Sequence, residues 1–323
     1  MLMLDGEEVR AAFPMAEAIS VMADALRGFS SGKVTQPLRS VLAPPSEEGV
    51  FAMMPAHVEG LGYGFKAIMH NPGNRARGLG THIGTVCVFD PVTGELSAVL
   101  DGSAVTAVRT AAVSAVATRA LAREDAGDLA ILGSGTQART HLEAMRLVRD
   151  VRRVRVWSRT TEHARAFRDW AGGRGVAVEV SATAQDALRG ADLVCTTTSA
   201  SGAVVLPGDL APGAHVNAVG ASVRGARELA PAEVARCRIY VDSRESALNE
   251  SSDLCDPIAE GLIGEKDIRG EIGEVLLGTA EGRTGPEEIT LFKSLGLAVE
   301  DVAAGFSIVT RARARKGGTG ADV

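Results

Sequence analysis

Apolar residues near the start of the chain recur in steps of three and four, so that Ala16, Ile19, Met22, Ala23 and Leu26 share one face. That spacing predicts a helical region over residues 5–29, with Pro14 suited to opening its main helix. Short extended runs follow at 37–42, 49–54 and 62–69. A longer pair, 83–89 and 96–100, is joined by Asp90-Pro91-Val92-Thr93-Gly94, whose Pro and Gly favour a tight hairpin connection. Residues 103–122 are Ala-rich and contain neither Gly nor Pro, which predicts a long helix capped by Asp101 or Ser103.

The pattern changes beyond residue 127. Apolar runs at 128–132, 154–158, 177–180, 193–196, 214–219 and 239–241 read as strands, and helical spacing appears at 137–148, 161–171 and 184–189. Strand and helix in alternation imply parallel strands with crossover helices, that is a Rossmann-type, doubly wound parallel sheet. The fold class is α/β, with a strand-rich first domain over 1–123, a boundary near Glu124-Asp125-Ala126-Gly127, and the doubly wound domain over 124–296. The segment 297–323 holds a last helix at 297–313 and a frayed tail at 316–323.

Composition narrows the function. A chain of 323 residues with 46% hydrophobic and 23% charged residues has enough apolar surface for two cores, which excludes a mostly disordered protein. A formal charge of −6 without a basic block argues against nucleic-acid and membrane-surface partners. No apolar window reaches a membrane span, and the start lacks the basic segment of a secretory signal, so a cytoplasmic location is expected. Four scattered cysteines form no CxxC pair, and six histidines show no metal-ligand spacing, so no metal is expected. The 34 basic residues include five lysines: Lys33, Lys66, Lys266, Lys293 and Lys316. A Lys inside an apolar run of such a chain is a candidate for proton transfer, which Arg cannot perform. Lys66 and Lys293 fit; for Lys293, snorkelling from a packed turn is the favoured reading.

The strongest motif is Gly133-Ser134-Gly135-Thr136-Gln137-Ala138, which follows a buried-strand pattern and opens a helix. Gly133 permits the tight turn, Gly135 lets backbone approach a pyrophosphate, and Ala138 allows close helix packing. An acidic residue usually ends the second strand of an NAD site, but here the chain reads Ser158-Arg159-Thr160. Two hydroxyls and a guanidinium suit a 2′-phosphate, so NADP(H) is preferred and NAD(H) remains possible. The bland reading of Arg159 is a solvated loop cation. Thr198 and Ser199 within Thr196-Thr197-Thr198-Ser199, and Val219 within Asn217-Ala218-Val219-Gly220-Ala221, follow strands and are candidate cofactor-lining residues.

The first domain places Arg39, Lys66 and Arg109 in apolar settings, where each serves either an anion site or a structural ion pair. At these residues the chain resembles the ornithine cyclodeaminase/mu-crystallin family. The resemblance extends over nearly the whole chain, through Gln36-Pro37-Leu38-Arg39, Met53-Met54-Pro55-Ala56, Asp101-Gly102, Ala104-Val105-Thr106-Ala107-Val108-Arg109-Thr110-Ala111-Ala112, Asn217-Ala218-Val219-Gly220-Ala221-Ser222, Tyr240-Val241-Asp242-Ser243 and Phe292-Lys293-Ser294-Leu295-Gly296-Leu297-Ala298-Val299-Glu300-Asp301. It implies a homodimer whose first domain binds substrate and makes dimer contacts, and whose last helix returns to that domain. It also implies that Arg39, Lys66 and Arg109 grip a small carboxylate substrate, that Glu250 and Ser294 line the ligand cavity, and that Thr81 and His82 lie by the nicotinamide end of the cofactor; Lys66 and Arg109 are the candidate catalytic pair, and Arg109 and Ser294 are further candidates for cofactor binding. His82 and Glu250 keep bland alternatives, a packed histidine and a solvated helix charge.

One departure matters for chemistry. Ornithine cyclodeaminases carry an Asp where this chain has Ser222, so the partner for a substrate's distal amine is missing. Asp242 is either a substitute for it or the cap of the following helix. Ser222 with Ser158-Arg159-Thr160 looks like the mu-crystallin branch, which implies NAD(P)H-dependent reduction of the C=N bond of a small carboxylated, cyclic ketimine. The alternatives are an ornithine cyclodeaminase, an alanine-type dehydrogenase and a non-catalytic NADPH-dependent small-ligand binder.

Overall fold

The computed structural model describes residues 1–45 and 49–317 and divides them into two compact units. The first comprises residues 1–109 and those from Leu297 on; the second comprises Thr110–Gly296. The boundary therefore falls inside a helix, between Arg109 and Thr110, and not in the polar stretch near residue 124. The tail from residue 318 lies outside the described residues.

The chain runs β1 (Leu2–Leu4), α1 (Gly6–Ala12), α2 (Met15–Ser30), β2 (Val34–Thr35), β3 (Ser40–Leu42), β4 (Val50–Val58), β5 (Gly62–His70), β6 (His82–Phe89), β7 (Leu96–Asp101) and α3 (Gly102–Leu121). The sequence helix over 5–29 is two helices. Asp5 closes a capping box on α1, and Pro14 is the N-cap of α2. Arg39 precedes β3 and is not part of a strand. Asp101 does cap α3, its Oδ1 accepting from the Ala104 N–H at 2.7 Å.

These strands form a seven-stranded sheet ordered β1-β7-β6-β5-β4-β2, with β3 on β4. Apart from the parallel β1–β7 edge its pairs are antiparallel. Strand alternation sends Ala52, Met54 and Ala56 of β4 and Gly62, Gly64 and Lys66 of β5 to the buried face. The final helix, α11 (Ala298–Gly317), packs on that face beside α2. Gly64 makes the approach possible, because a Cβ there would meet Val302 Cγ2 at 2.9 Å. The opposite face is also apolar, with Met53, Tyr63, Met69 and Ile83 exposed.

The second unit continues β8 (Asp128–Leu132), α4 (Thr136–Val148), β9 (Arg153–Trp157), α5 (Thr161–Gly172), β10 (Glu179–Val180), α6 (Ala184–Leu188), β11 (Leu193–Thr196), β12 (His215–Ala218), α7 (Pro231–Val234), β13 (Arg238–Val241), α8 (Arg244–Glu250), α9 (Ser252–Ala259), β14 (Ile268–Glu271), α10 (Ile272–Leu277) and β15 (Thr290–Lys293). All eight strands are parallel, in the order β10-β9-β8-β11-β12-β15-β13-β14. The sheet buries Leu132, Val194, Val216, Ile239 and Leu291 in one core. Its strand order reverses between β8 and β11, the point where open α/β sheets receive ligands beyond their carboxyl ends. Among the described residues no helix is long and apolar enough to cross a membrane.

Candidate active site

In the first unit, Lys66 projects from β5 to the first turn of α11, where Glu300 and Asp301 lie. Its Nζ is 2.7 Å from Asp301 Oδ2. Arg109, from α3, puts Nε 3.0 Å from Asp301 Oδ1 and Nη1 2.7 Å from Glu300 Oε2. All four side chains are buried. The two acids also sit at the N-terminal end of α11, where the helix dipole favours negative charge. Burial pushes the Lys66 ammonium down from the usual lysine range to about 8, with the charges of Arg109 and Arg39 acting the same way and Asp301 opposing them. Burial alone would raise the Asp301 carboxyl, yet Arg109 and Lys66 hold it below the ordinary carboxylate range.

The structure thus brings Lys66 and Arg109 together, with Arg39 half-buried and close enough for its charge to act on Lys66. His82 opens β6 opposite His70, their ring centroids 4.3 Å apart, and Thr81 Oγ1 lies 3.1 Å from its Nδ1. His82 keeps an exposed edge, but desolvation of the ring, then His70 and Lys66, lower its pKa to about 4, so the imidazole is neutral at pH 7.

In the second unit the glycine turn follows β8. Gly133 has φ +110°, and a Cβ there would fall 2.7 Å from the Thr197 carbonyl oxygen. Gly135 is the N-cap of α4 and offers no side-chain cap, while the position of its missing Cβ has no atom within 4 Å. No side chain therefore covers the N-terminal end of α4, the end of a helix that suits an anion, and backbone at Gly135 can approach a pyrophosphate closely. These features fit a dinucleotide. Ser158 accepts from Ser134 Oγ at 3.2 Å, Thr160 makes no capping bond to α5, and Arg159 is exposed with no hydrogen bond or ion pair among the described residues.

Sequence reasoning missed what holds the neighbouring loops. Glu228 is fully buried and its carboxylate accepts from Thr196 Oγ1 at 2.6 Å and from Thr198 N, Thr198 Oγ1 and Gly220 N, each at 2.7 Å. It ties together the loops that follow β11 and β12, which carry Thr198, Ser199 and Val219. Burial raises its pKa despite these donors and the charge of Lys293. Lys293 does not snorkel: its Nζ is fully buried, 2.9 Å from Asp253 Oδ2 and 2.5 Å from the Ala221 carbonyl oxygen. Asp253 Oδ1 in turn accepts from the backbone N–H of Glu228 and Leu229. Asp242 is not the cap of α8, which is Ser243. Its Oδ2 accepts from the N–H groups of Leu295 and Gly296 at 2.6 and 2.7 Å, fixing the turn after Ser294. Ser294 itself is buried, and its Oγ has no partner among the described residues. Glu250 ends α8, and Ser222 lies half-buried after Ala221; both belong to the second unit.

The family model for the ornithine cyclodeaminase/mu-crystallin family matches residues 1–316. The chain belongs to this family. Among its ornithine cyclodeaminase/mu-crystallin relatives, a Delta(1)-pyrroline-2-carboxylate reductase of Bacillus cereus is 40% identical over 305 residues, 94% of each chain. The ketimine reductase mu-crystallin of Mus musculus is 39% identical over 284 residues, 87% of each. The solved structure of Thermococcus litoralis Delta(1)-pyrroline-2-carboxylate reductase, in complex with NADH and L-proline, superposes with a TM-score of 0.95 at 34% identity and 98% coverage of both chains.

Proposed function

We propose that the chain is an NAD(P)H-dependent oxidoreductase that reduces the C=N bond of a small carboxylated, cyclic imine to an amino acid. The observation that carries this reading is the buried Lys66–Arg109 pair, anchored on Glu300 and Asp301, in a chain that also has an open Gly135 turn for a dinucleotide. The names of its relatives support it: two act as reductases of pyrroline-2-carboxylate and one of ketimines.

The coenzyme supplies hydride to the imine carbon when bound. Gly133, Gly135 and the first turn of α4 receive its pyrophosphate, with Thr198, Ser199, Val219 and Ser294 of the same unit as further cofactor-lining residues. Arg159, flanked by Ser158 and Thr160, takes a 2′-phosphate, which favours NADP(H) over NAD(H). Arg39 and Arg109 hold the substrate carboxylate, and Lys66 helps hold it and gives a proton to the nitrogen. A pKa of about 8 lets Lys66 be charged at pH 7 and still release its proton readily. Ser222 offers no carboxylate to a distal amine, which speaks against the cyclodeaminase alternative. The exposed apolar face of the first sheet, with Met53, Tyr63, Met69 and Ile83, is the surface on which two chains pair as a homodimer.

A panel of cyclic carboxylated imines, keto acids with ammonium, and diamino acids tests the reading. The absorbance of reduced coenzyme and the release of ammonia are followed together. Coenzyme consumption with the cyclic imines alone is the expected result. Ammonia from a diamino acid without net coenzyme consumption indicates a cyclodeaminase, turnover of pyruvate with ammonium indicates a dehydrogenase, and coenzyme binding with no turnover indicates a binder.

A further inference from the structure

We propose that Asp301 is a positioning residue: its carboxylate bridges Lys66 and Arg109, and so holds the Lys66 ammonium in the orientation and the charged form from which it protonates the substrate nitrogen. The inference rests on the reductase reading above. Asp301 lies within 4 Å of both cations, at 2.7 Å from Lys66 Nζ and 3.0 Å from Arg109 Nε, and Glu300 pairs with Arg109.

Among the described residues, the charged and titratable groups that act on Lys66 include Asp301 from α11, Arg109 from α3, Arg39 from the segment before β3, and His82 from β6. Across the sheet its neighbours are Met54 and Val86, which carry no charge. Desolvation, Arg109 and Arg39 thus work against the ammonium, and Asp301 works for it through both its charge and its hydrogen bond. Asp301 has no exposed surface, so its field on Lys66 is little screened by salt. The chemistry gives this a purpose. Hydride with its electron pair adds to the imine carbon, the C=N π electrons move to nitrogen, and an N–H bond forms there as one Lys66 N–H breaks. The products are the amine, the oxidised coenzyme and neutral Lys66, which regains a proton from water. A Lys66 already neutral before turnover has no proton to give.

The test compares Asp301→Asn with Glu300→Gln, in the full-length chain labelled with 13C at lysine Cε. Five lysines make the spectrum small, and Lys66→Arg identifies the Lys66 signal. The wild-type signal is expected to titrate near pH 8. In Asp301→Asn the midpoint falls by about one unit or more, and the basic limb of kcat/KM for the imine moves down with it. In Glu300→Gln both stay within about half a unit of wild type, because Asp301 still faces Lys66. Coenzyme affinity stays unchanged in Asp301→Asn, and Asp301→Glu, which keeps the charge, restores most of the midpoint. A midpoint and limb in Asp301→Asn equal to wild type overturn the proposal. So does a wild-type Lys66 already neutral at pH 7, a result that needs no folded variant. The titration is read without turnover, so a chain that reduces no imine refutes the reductase reading independently.

Discussion

The buried charges around Lys66 in the first unit and around Glu228 in the second are held in different ways. In the first, Lys66 and Arg109 meet two acids from a single turn of α11, side chain to side chain. In the second, the buried acid Glu228 is satisfied by hydroxyl and backbone N–H donors, and the neighbouring Lys293–Asp253 pair leans on backbone groups as well. Charge paired with charge tunes protonation, since each partner shifts the other's pKa. Charge paired with backbone fixes loops, since it holds peptide groups in place. Under the function proposed above, the first arrangement suits the handling of protons and carboxylates, the second the shaping of a coenzyme cradle.

The contrast is open to attack by substitution. The largest effect is expected for Arg109→Met, which leaves Glu300 and half of the Asp301 bridge without their guanidinium in a buried site. Breaking such a pair is expected to destabilise the fold by ~3–5 kcal/mol, read as a fall in the denaturant midpoint. Lys293→Met is expected to do less, ~1–3 kcal/mol, because Asp253 keeps two backbone donors. Equal losses in the two variants erase the contrast.

Glu228→Gln comes next. An amide of the same shape keeps one acceptor oxygen for donors that four hydrogen bonds now share, so a stability loss of ~1–2 kcal/mol is expected. Loosening of the loops after β11 and β12 is also expected to weaken coenzyme binding by about tenfold, with kcat at saturation little altered. Coenzyme affinity equal to wild type shows that Glu228 serves the fold alone. The smallest effect on the fold is expected for Arg159→Ala, which changes stability by less than ~0.5 kcal/mol because the side chain is exposed. Its affinity for NADPH falls by about tenfold and its affinity for NADH is unchanged. Equal loss for both coenzymes refutes the 2′-phosphate role.

Much of this was legible in the sequence where a local pattern decides structure. Gly133 and Gly135 stand between a buried strand and a helix, and the turn forms there. Asp101 caps α3, and residues 83–89 and 96–100 pair across their tight connection. Short elements were harder to read. The three residues of β1 carry too little periodicity to be seen, and β15 lies hidden in a four-residue run whose role depends on β12 and β13 beside it. The partners of the candidate cations were the main gap. Glu300 and Asp301 stood in plain view inside the apolar run 297–304, which is a signal for buried counter-charges, yet their distance in sequence from Lys66 and Arg109 concealed the pairing. Glu228 gave no signal at all, since a Glu between Arg227 and Leu229 in a polar stretch reads as a solvated loop charge.

The central claim is hydride delivery to the α-carbon of a carboxylated imine. It is tested most directly with reduced coenzyme carrying deuterium at its transferable position and a cyclic imine substrate, the amino acid being analysed by mass spectrometry and proton NMR. The account predicts one deuterium at the α-carbon of each product molecule, with one coenzyme oxidised per amino acid formed. Product lacking the label, or a coenzyme pool left unoxidised after the imine is consumed, contradicts it.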